Sequence, residues 1–220
     1  MLTILFPKAC LGCYQILSKH EIVLCLACRH KLPLVSHHLH KNPGMKNIFF
    51  GRFAIENATA LFRFQKKGIT QQLLHNLKYR GKEHLSNFFG KWLGSELSEL
   101  DEYKEIDLVI PVPLHKQKLK KRGYNQVEGF GKEIAKALNI VYCDDVLIKI
   151  SKTSSQVFKQ RLTRFHSEET FTIQNIDRIS NKHILLVDDI VTTGATLENC
   201  ATQLLKGANV KVSLATMAIA

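Results

Sequence analysis

Residues 184–196 read Ile-Leu-Leu-Val-Asp-Asp-Ile-Val-Thr-Thr-Gly-Ala-Thr, an order that few folds accommodate. Four apolar residues in a row suit a strand buried on both faces, as in a parallel sheet. From Leu197 to Lys206 the periodicity becomes helical, with Gly207 near the C-terminal cap. A strand turning directly into a helix is the repeating unit of an α/β sheet, and in open α/β sheets ligands settle at the carboxyl ends of the strands. Asp188 and Asp189 are expected to leave the strand there as adjacent carboxylates, excluded from a dry core by their charge. They are suited to accept hydrogen bonds from the vicinal hydroxyls of a ribose, or to help position magnesium. Thr192, Thr193, Gly194, Ala195 and Thr196 have small side chains, so backbone N–H groups and hydroxyls can surround a phosphate at the helix start. Gly194 supplies the freedom to turn. A plain strand-to-helix turn capped by Asp and Thr is the alternative that the same residues allow.

The rest of the chain supports the α/β reading. Leu108 to Val112 is an apolar run, Val127, Phe130, Ile134 and Leu138 form a helical stripe, Val146 to Ile150 suits a strand, and Val210 to Ala218 suits a last one. Alternating strands and helices predict a parallel sheet with right-handed crossovers, flanked by helices. Upstream, Phe50, Phe53, Ile55, Ala60, Phe62 and Phe64 alternate loosely and predict a hairpin or two short strands over 48–64. Leu73, Leu74 and Leu77 mark one amphipathic helix, and Leu85, Phe88, Phe89, Trp92, Leu93 and Leu97 a longer one. Lys118, Lys120, Lys121 and Arg122 read as a basic loop, either solvated or placed to meet a polyanion. Residues 129–132, Gly-Phe-Gly-Lys, lack P-loop spacing and fall within a helix.

Four of the six cysteines, Cys10, Cys13, Cys25 and Cys28, lie in the first 28 residues as two Cys-x-x-Cys pairs. In a chain read as cytoplasmic, without an export signal or a membrane span, that spacing predicts a tetrathiolate zinc ribbon. Metal binding would supply the folding free energy that so small a piece lacks. Four thiolates complete a tetrahedral shell, so His20, His30, His37, His38 and His40 are expected to be surface residues of the module and its linker. Cys143 and Cys200 are expected to be buried small apolar residues. The composition change at 37–44 divides the chain into residues 1–44, zinc ribbon and linker, and 45–220, the main domain. A net charge of +12 favours polyanionic partners: nucleic acid, phosphorylated metabolites or an anionic surface.

The 184–196 run closely resembles the phosphoribosyl pyrophosphate (PRPP) loop of type I phosphoribosyltransferases. Pro111-Val-Pro-Leu114, Lys121-Arg-Gly-Tyr-Asn-Gln126, Leu77-Lys-Tyr-Arg-Gly81 and the paired cysteines are similar to the ComF-type competence proteins, DNA-uptake factors. The resemblance implies that Asp188 and Asp189 face the ribose. It implies that PRPP is held by Val191, Thr192, Thr193, Gly194, Ala195, Thr196, Pro113 and Leu114. Arg122, with basic residues from 152 to 164, would meet the pyrophosphate, so Asp188, Asp189 and Arg122 form the catalytic set. It further implies zinc on the cysteines, magnesium with PRPP, single-stranded DNA as a partner and a helicase-like uptake protein beside it. Two functions fit: handling incoming single-stranded DNA with a PRPP-sensing site, or transfer of ribose 5-phosphate from PRPP to a nitrogenous acceptor. Gln156, Arg161 and Arg164 resemble the family's flexible loop. The family often has Asn soon after that arginine, whereas Phe165, His166 and Ser167 follow here, so no catalytic contact is assigned there.

Overall fold

A computed structural model describes residues 8–40, 42–150 and 170–220. In chain order these form α1 (Leu26–His30), α2 (Gly44–Asn47), β1 (Ala58–Arg63), α3 (Ile69–Tyr79), α4 (His84–Ser98), α5 (Asp101–Lys104), β2 (Leu108–Pro111), α6 (Lys116–Arg122) and α7 (Glu128–Leu138). There follow β3 (Val141–Tyr142), β4 (Leu147–Ile150), β5 (Thr170–Ile173), β6 (His183–Val191), α8 (Ala195–Leu204) and β7 (Lys211–Ile219). Five strands make one parallel sheet in the order β1-β7-β6-β2-β3.

The sheet is covered on both faces, which is why its central strands read as continuous apolar runs. Alternation along β6 sorts the side chains: Leu185 and Val187 join α3, α4 and α7, while Ile184 and Leu186 join α8 and the β4–β5 pair. α4 and α7 pack closely because Gly90 has no side chain; a Cβ there would stand 2.6 Å from the Phe130 carbonyl oxygen. The cysteine module shares this core, since Cys10, Leu11, Val23, Leu24, Cys28 and Leu32 cluster with Leu73, Leu77 and Phe89. Its outgoing chain also covers the sheet edge: Leu34 bridges Phe62 in β1, and Arg63 N donates to the Pro33 carbonyl oxygen at 2.8 Å.

Four expectations need correction. Residues 48–57 form no strand; Phe49 enters the core, Phe50 is exposed, and β1 pairs in parallel with β7 instead of closing a hairpin. β4 forms as expected, but pairs antiparallel with β5, outside the parallel sheet. The basic loop is a short helix, α6, capped by His115, whose Nδ1 accepts from Gln117 N at 3.3 Å, and closed by Gly123 at φ 87°. His37 and His38 are buried rather than on the surface: His38 bonds Thr59 Oγ1 at 2.7 Å and Glu96 Oε2 at 2.9 Å. Cys143 and Cys200 are buried as expected, and residues 129–132 lie within α7.

Candidate functional site

β6 does not end at Val187. Its backbone stays paired with β7 through Val191, which lies opposite Ile219, so Asp188 and Asp189 are strand residues with only 8% and 3% of their surface exposed. The expectation that charge keeps them out of the interior therefore fails, and for Asp189 the reason is a counter-charge. Lys78, in the last turn of α3, places Nζ 2.9 Å from Asp189 Oδ2, an ion pair by distance although not angled as a hydrogen bond. Buried carboxylates persist where such a partner offsets desolvation. Asp188 Oδ1 accepts from Asp189 N at 2.8 Å. Successive strand residues face opposite sides of a sheet; accordingly Asp188 borders a cavity of about 40 Å³ formed with residues 190–197, while Asp189 meets α3.

The turn around that cavity is held from outside. Gly194 adopts φ 82°, caps α8, and faces Phe49 so closely that a Cβ would come within 2.6 Å of the ring. Arg52 Nη1 donates to the Thr193 carbonyl oxygen at 2.7 Å and lies 3.3 Å from Glu198 Oε2. In a trans peptide C=O and N–H point opposite ways, so this contact directs the Gly194 N–H away from Arg52. Sequence reading misses Arg52; it stands 141 residues from Thr193, and nothing local marks it.

Two motifs that are remote in sequence meet at the end of α3. Tyr124 is buried and donates its hydroxyl to the Leu77 carbonyl, Arg122 lies over the Tyr79 ring at 5.8 Å and bonds Gln126, and Asn125 Nδ2 donates to the Val112 carbonyl at 3.1 Å. Val112 N in turn donates to the Val187 carbonyl at 2.9 Å, so the chain leaves β2 for Pro113 and Leu114 alongside the middle of β6. Arg122 thus stands over Tyr79, and does not border the small cavity. Gln156, Arg161 and Arg164 lie outside the described residues.

The Sγ atoms of Cys10, Cys13, Cys25 and Cys28 all lie within 4.8 Å of one another, Cys13 and Cys25 at 3.7 Å. Four sulfurs on a tetrahedral zinc sit about 3.8 Å apart, from Zn–S bonds of about 2.3 Å. The donor set suits a thiophilic ion such as zinc. Gly12 N and Cys25 N donate to Cys10 Sγ, and Cys28 N to Cys25 Sγ, as thiolates require. Burial pushes the Cys10 thiol up, but backbone N–H groups of Cys25, Gly12 and Cys13 outweigh it and bring the pKa to about 7. Burial and the neighbouring thiols push Cys28 up, so a cation is what would allow all four to ionise together.

Residues 128–219, spanning α7 to β7, match the family model of the phosphoribosyl transferase domain. Beside competence protein ComFC of Bacillus subtilis, the chain is 27% identical over 214 residues, covering 91% of this chain and 86% of that protein. The chain is similar to the ComF-type competence proteins and carries a segment that matches the phosphoribosyl transferase domain. ComFC of Streptococcus pneumoniae is 37% identical over 134 residues, covering 61% of this chain and 56% of that protein. The DNA utilization protein YhgH of Escherichia coli K12 is 24% identical, covering 61% and 60%. The chain therefore aligns with little more than half the length of those two relatives. Among solved structures, adenine phosphoribosyltransferase of Leishmania donovani superposes with a TM-score of 0.43 at 12% identity, covering 74% of this chain and 84% of that one.

Because the Lys78 contact offsets the burial of Asp189, Lys78→Met is expected to destabilise the chain by about 1–3 kcal/mol, below the range for fully enclosed pairs since Lys78 keeps part of its side chain in water. Urea unfolding of Lys78→Met, Asp189→Asn and the double variant measures the coupling. Equal cost of Lys78→Met in both backgrounds would mean that the two side chains do not interact.

Proposed function

We propose that the chain binds PRPP and single-stranded DNA during DNA uptake in the cytoplasm, with residues 1–44 as a zinc-bearing module and 45–220 as the phosphoribosyltransferase-like domain. The observation carrying the PRPP half is the turn 191–197, closed around a small cavity with Asp188 at its border and braced by Arg52 and Phe49. A phosphate in that turn would accept from backbone N–H groups at the α8 N-terminus, where the helix dipole favours an anion. Asp188, and Asp189 when Lys78 releases or shares it, would accept from the ribose hydroxyls. Arg122 would approach the pyrophosphate side, stacked on Tyr79. Among the described residues the site offers two carboxylates and no full oxygen shell for a hard cation, so magnesium would arrive with the pyrophosphate and offset its charge. The names of the relatives, competence and DNA utilization proteins, support the DNA half, as does the net charge of +12. Among the described residues no helix is long and apolar enough to cross a membrane.

Active transfer to a nitrogenous acceptor is the second reading, favoured by the match to the phosphoribosyl transferase domain. It would proceed by positioning and charge stabilisation of an oxocarbenium-like transition state. A pyrophosphate-release assay with magnesium, single-stranded DNA and a panel of nitrogenous bases separates the two. Binding without release is expected; release that depends on Asp188 and Asp189 would establish an enzyme instead.

A further inference from the structure

A groove of about 700 Å³ runs between the cysteine module and the N-terminal half of α4. Leu11, Val23 and Phe88 form an apolar floor, and Lys8, Lys82 and Lys91 stand along it with no acidic residue in the lining. Lys8 and Lys82 have no carboxylate within ion-pair distance among the described residues, and the Lys91 ammonium is 3.9 Å from Glu133. Tyr14 projects from the first cysteine knuckle at φ 62°, its hydroxyl oxygen 3.4 Å from Asn76 Nδ2 and its residue surface 61% exposed. A bulky residue rarely holds that backbone conformation, and such strain gathers where a side chain must be presented. The cations continue beyond the groove. Lys82 belongs to the same turn as Arg80 and the exposed Tyr79, and one residue before Tyr79 is Lys78, on Asp189.

We infer that this groove takes a segment of single-stranded nucleic acid, its phosphates on Lys8, Lys82 and Lys91 and a base on Tyr14, with the strand continuing along 78–82 toward the phosphate turn. The inference rests on the DNA half of the function proposed above and locates it. Repeated cations leading past exposed aromatic rings suit a polyanion with stackable bases. An acidic peptide would use the groove's cations but would have no need of the rings.

The test is fluorescence anisotropy of a labelled twelve-nucleotide oligothymidylate with the full-length, zinc-loaded chain between 50 and 200 mM salt. Lys8→Ala/Lys82→Ala/Lys91→Ala is expected to lower affinity at least about tenfold and to flatten the logarithmic salt dependence by about 2, three phosphate contacts at about 0.7 each. Tyr14→Ala is expected to cost about fivefold or more, the low end for a base stacked on an aromatic ring. PRPP binding should stay unchanged in both. If the parent chain binds no oligonucleotide, the DNA reading itself falls. If the parent binds and both variants bind equally well, only the groove assignment falls. An abasic oligomer, or polyglutamate, binding as tightly as oligothymidylate would also overturn it. Photocrosslinking the parent to 4-thiothymidine tests the same contact without substitution: adducts at Tyr14 or Phe88 support the groove, and adducts confined to other surfaces contradict it.

Discussion

Cys10→Ser combined with Cys28→Ser is expected to lower the melting temperature of the whole chain, not merely to loosen its first thirty residues. Both cysteines are buried in the cluster that contains Leu73, Leu77 and Phe89. The first knuckle is also tied to α3: Gln72 Nε2 donates to the Leu11 and Gly12 carbonyls at 3.1 and 2.9 Å, and Asn76 Nδ2 to Leu11 at 3.2 Å. Structural zinc contributes about 10–16 kcal/mol in isolated finger peptides. Here packing against α3 and α4 retains part of the module, so a loss on the order of 5 kcal/mol is expected, about 10–20 °C for a domain of this size. Calorimetry with metal analysis, before and after a zinc chelator, measures it. Because α3 ends in Lys78, metal removal should weaken PRPP binding as well. An unchanged midpoint after verified zinc loss would show the cluster to be dispensable for stability.

Gly194→Ala should abolish PRPP binding and destabilise the fold together. At φ 82° a side chain costs about 1–2 kcal/mol from backbone sterics, and its Cβ would sit 2.6 Å from Phe49 Cε1. Phe49 is fully buried against Met45 and Leu197 and cannot easily withdraw; overpacking of that kind costs about 1–3 kcal/mol. The sum, about 2–5 kcal/mol, should appear in thermal melts as roughly 4–20 °C. Gly81→Ala is the control. Gly81 has φ 63° but nothing within 4 Å of its Cβ position, so only the backbone cost should remain, with the phosphate turn intact. Equal losses in the two variants would mean that Phe49 does not constrain the turn.

The parts of this molecule that can be read from sequence are those whose physics is local. Cys10, Cys13, Cys25 and Cys28 announce a cluster because two-residue spacing alone brings paired sulfurs together. Ile184–Val187 announces a buried strand because each residue in it is apolar. Asp188 and Asp189 stand out as adjacent carboxylates after that run, but the partner of buried Asp189 is Lys78, more than a hundred residues earlier on a different element. Arg52 and Phe49 escape a reading of the sequence for the same reason, hidden in a stretch whose spaced phenylalanines imitate strand alternation. His38 looks like a linker residue because its partners, Thr59 and Glu96, become neighbours only after β1 and α4 have packed. The motif 121–126 is legible as important, yet much of its role is architectural: Tyr124 and Asn125 tie the motif to α3 and to the residue after β2, and Arg122 lies over Tyr79.

On the function proposed above, the end of β6 and the turn into α8 would hold a ribose 5-phosphate. Isothermal titration of the full-length chain with PRPP and magnesium, compared with Asp188→Asn/Asp189→Asn, tests it most directly. Saturable binding by the parent, weakened about tenfold or more in the double variant, is expected, since about 1.4 kcal/mol of lost hydroxyl contacts suffices for that factor. Equal affinity in the two proteins, or no binding by a folded parent, would contradict the account.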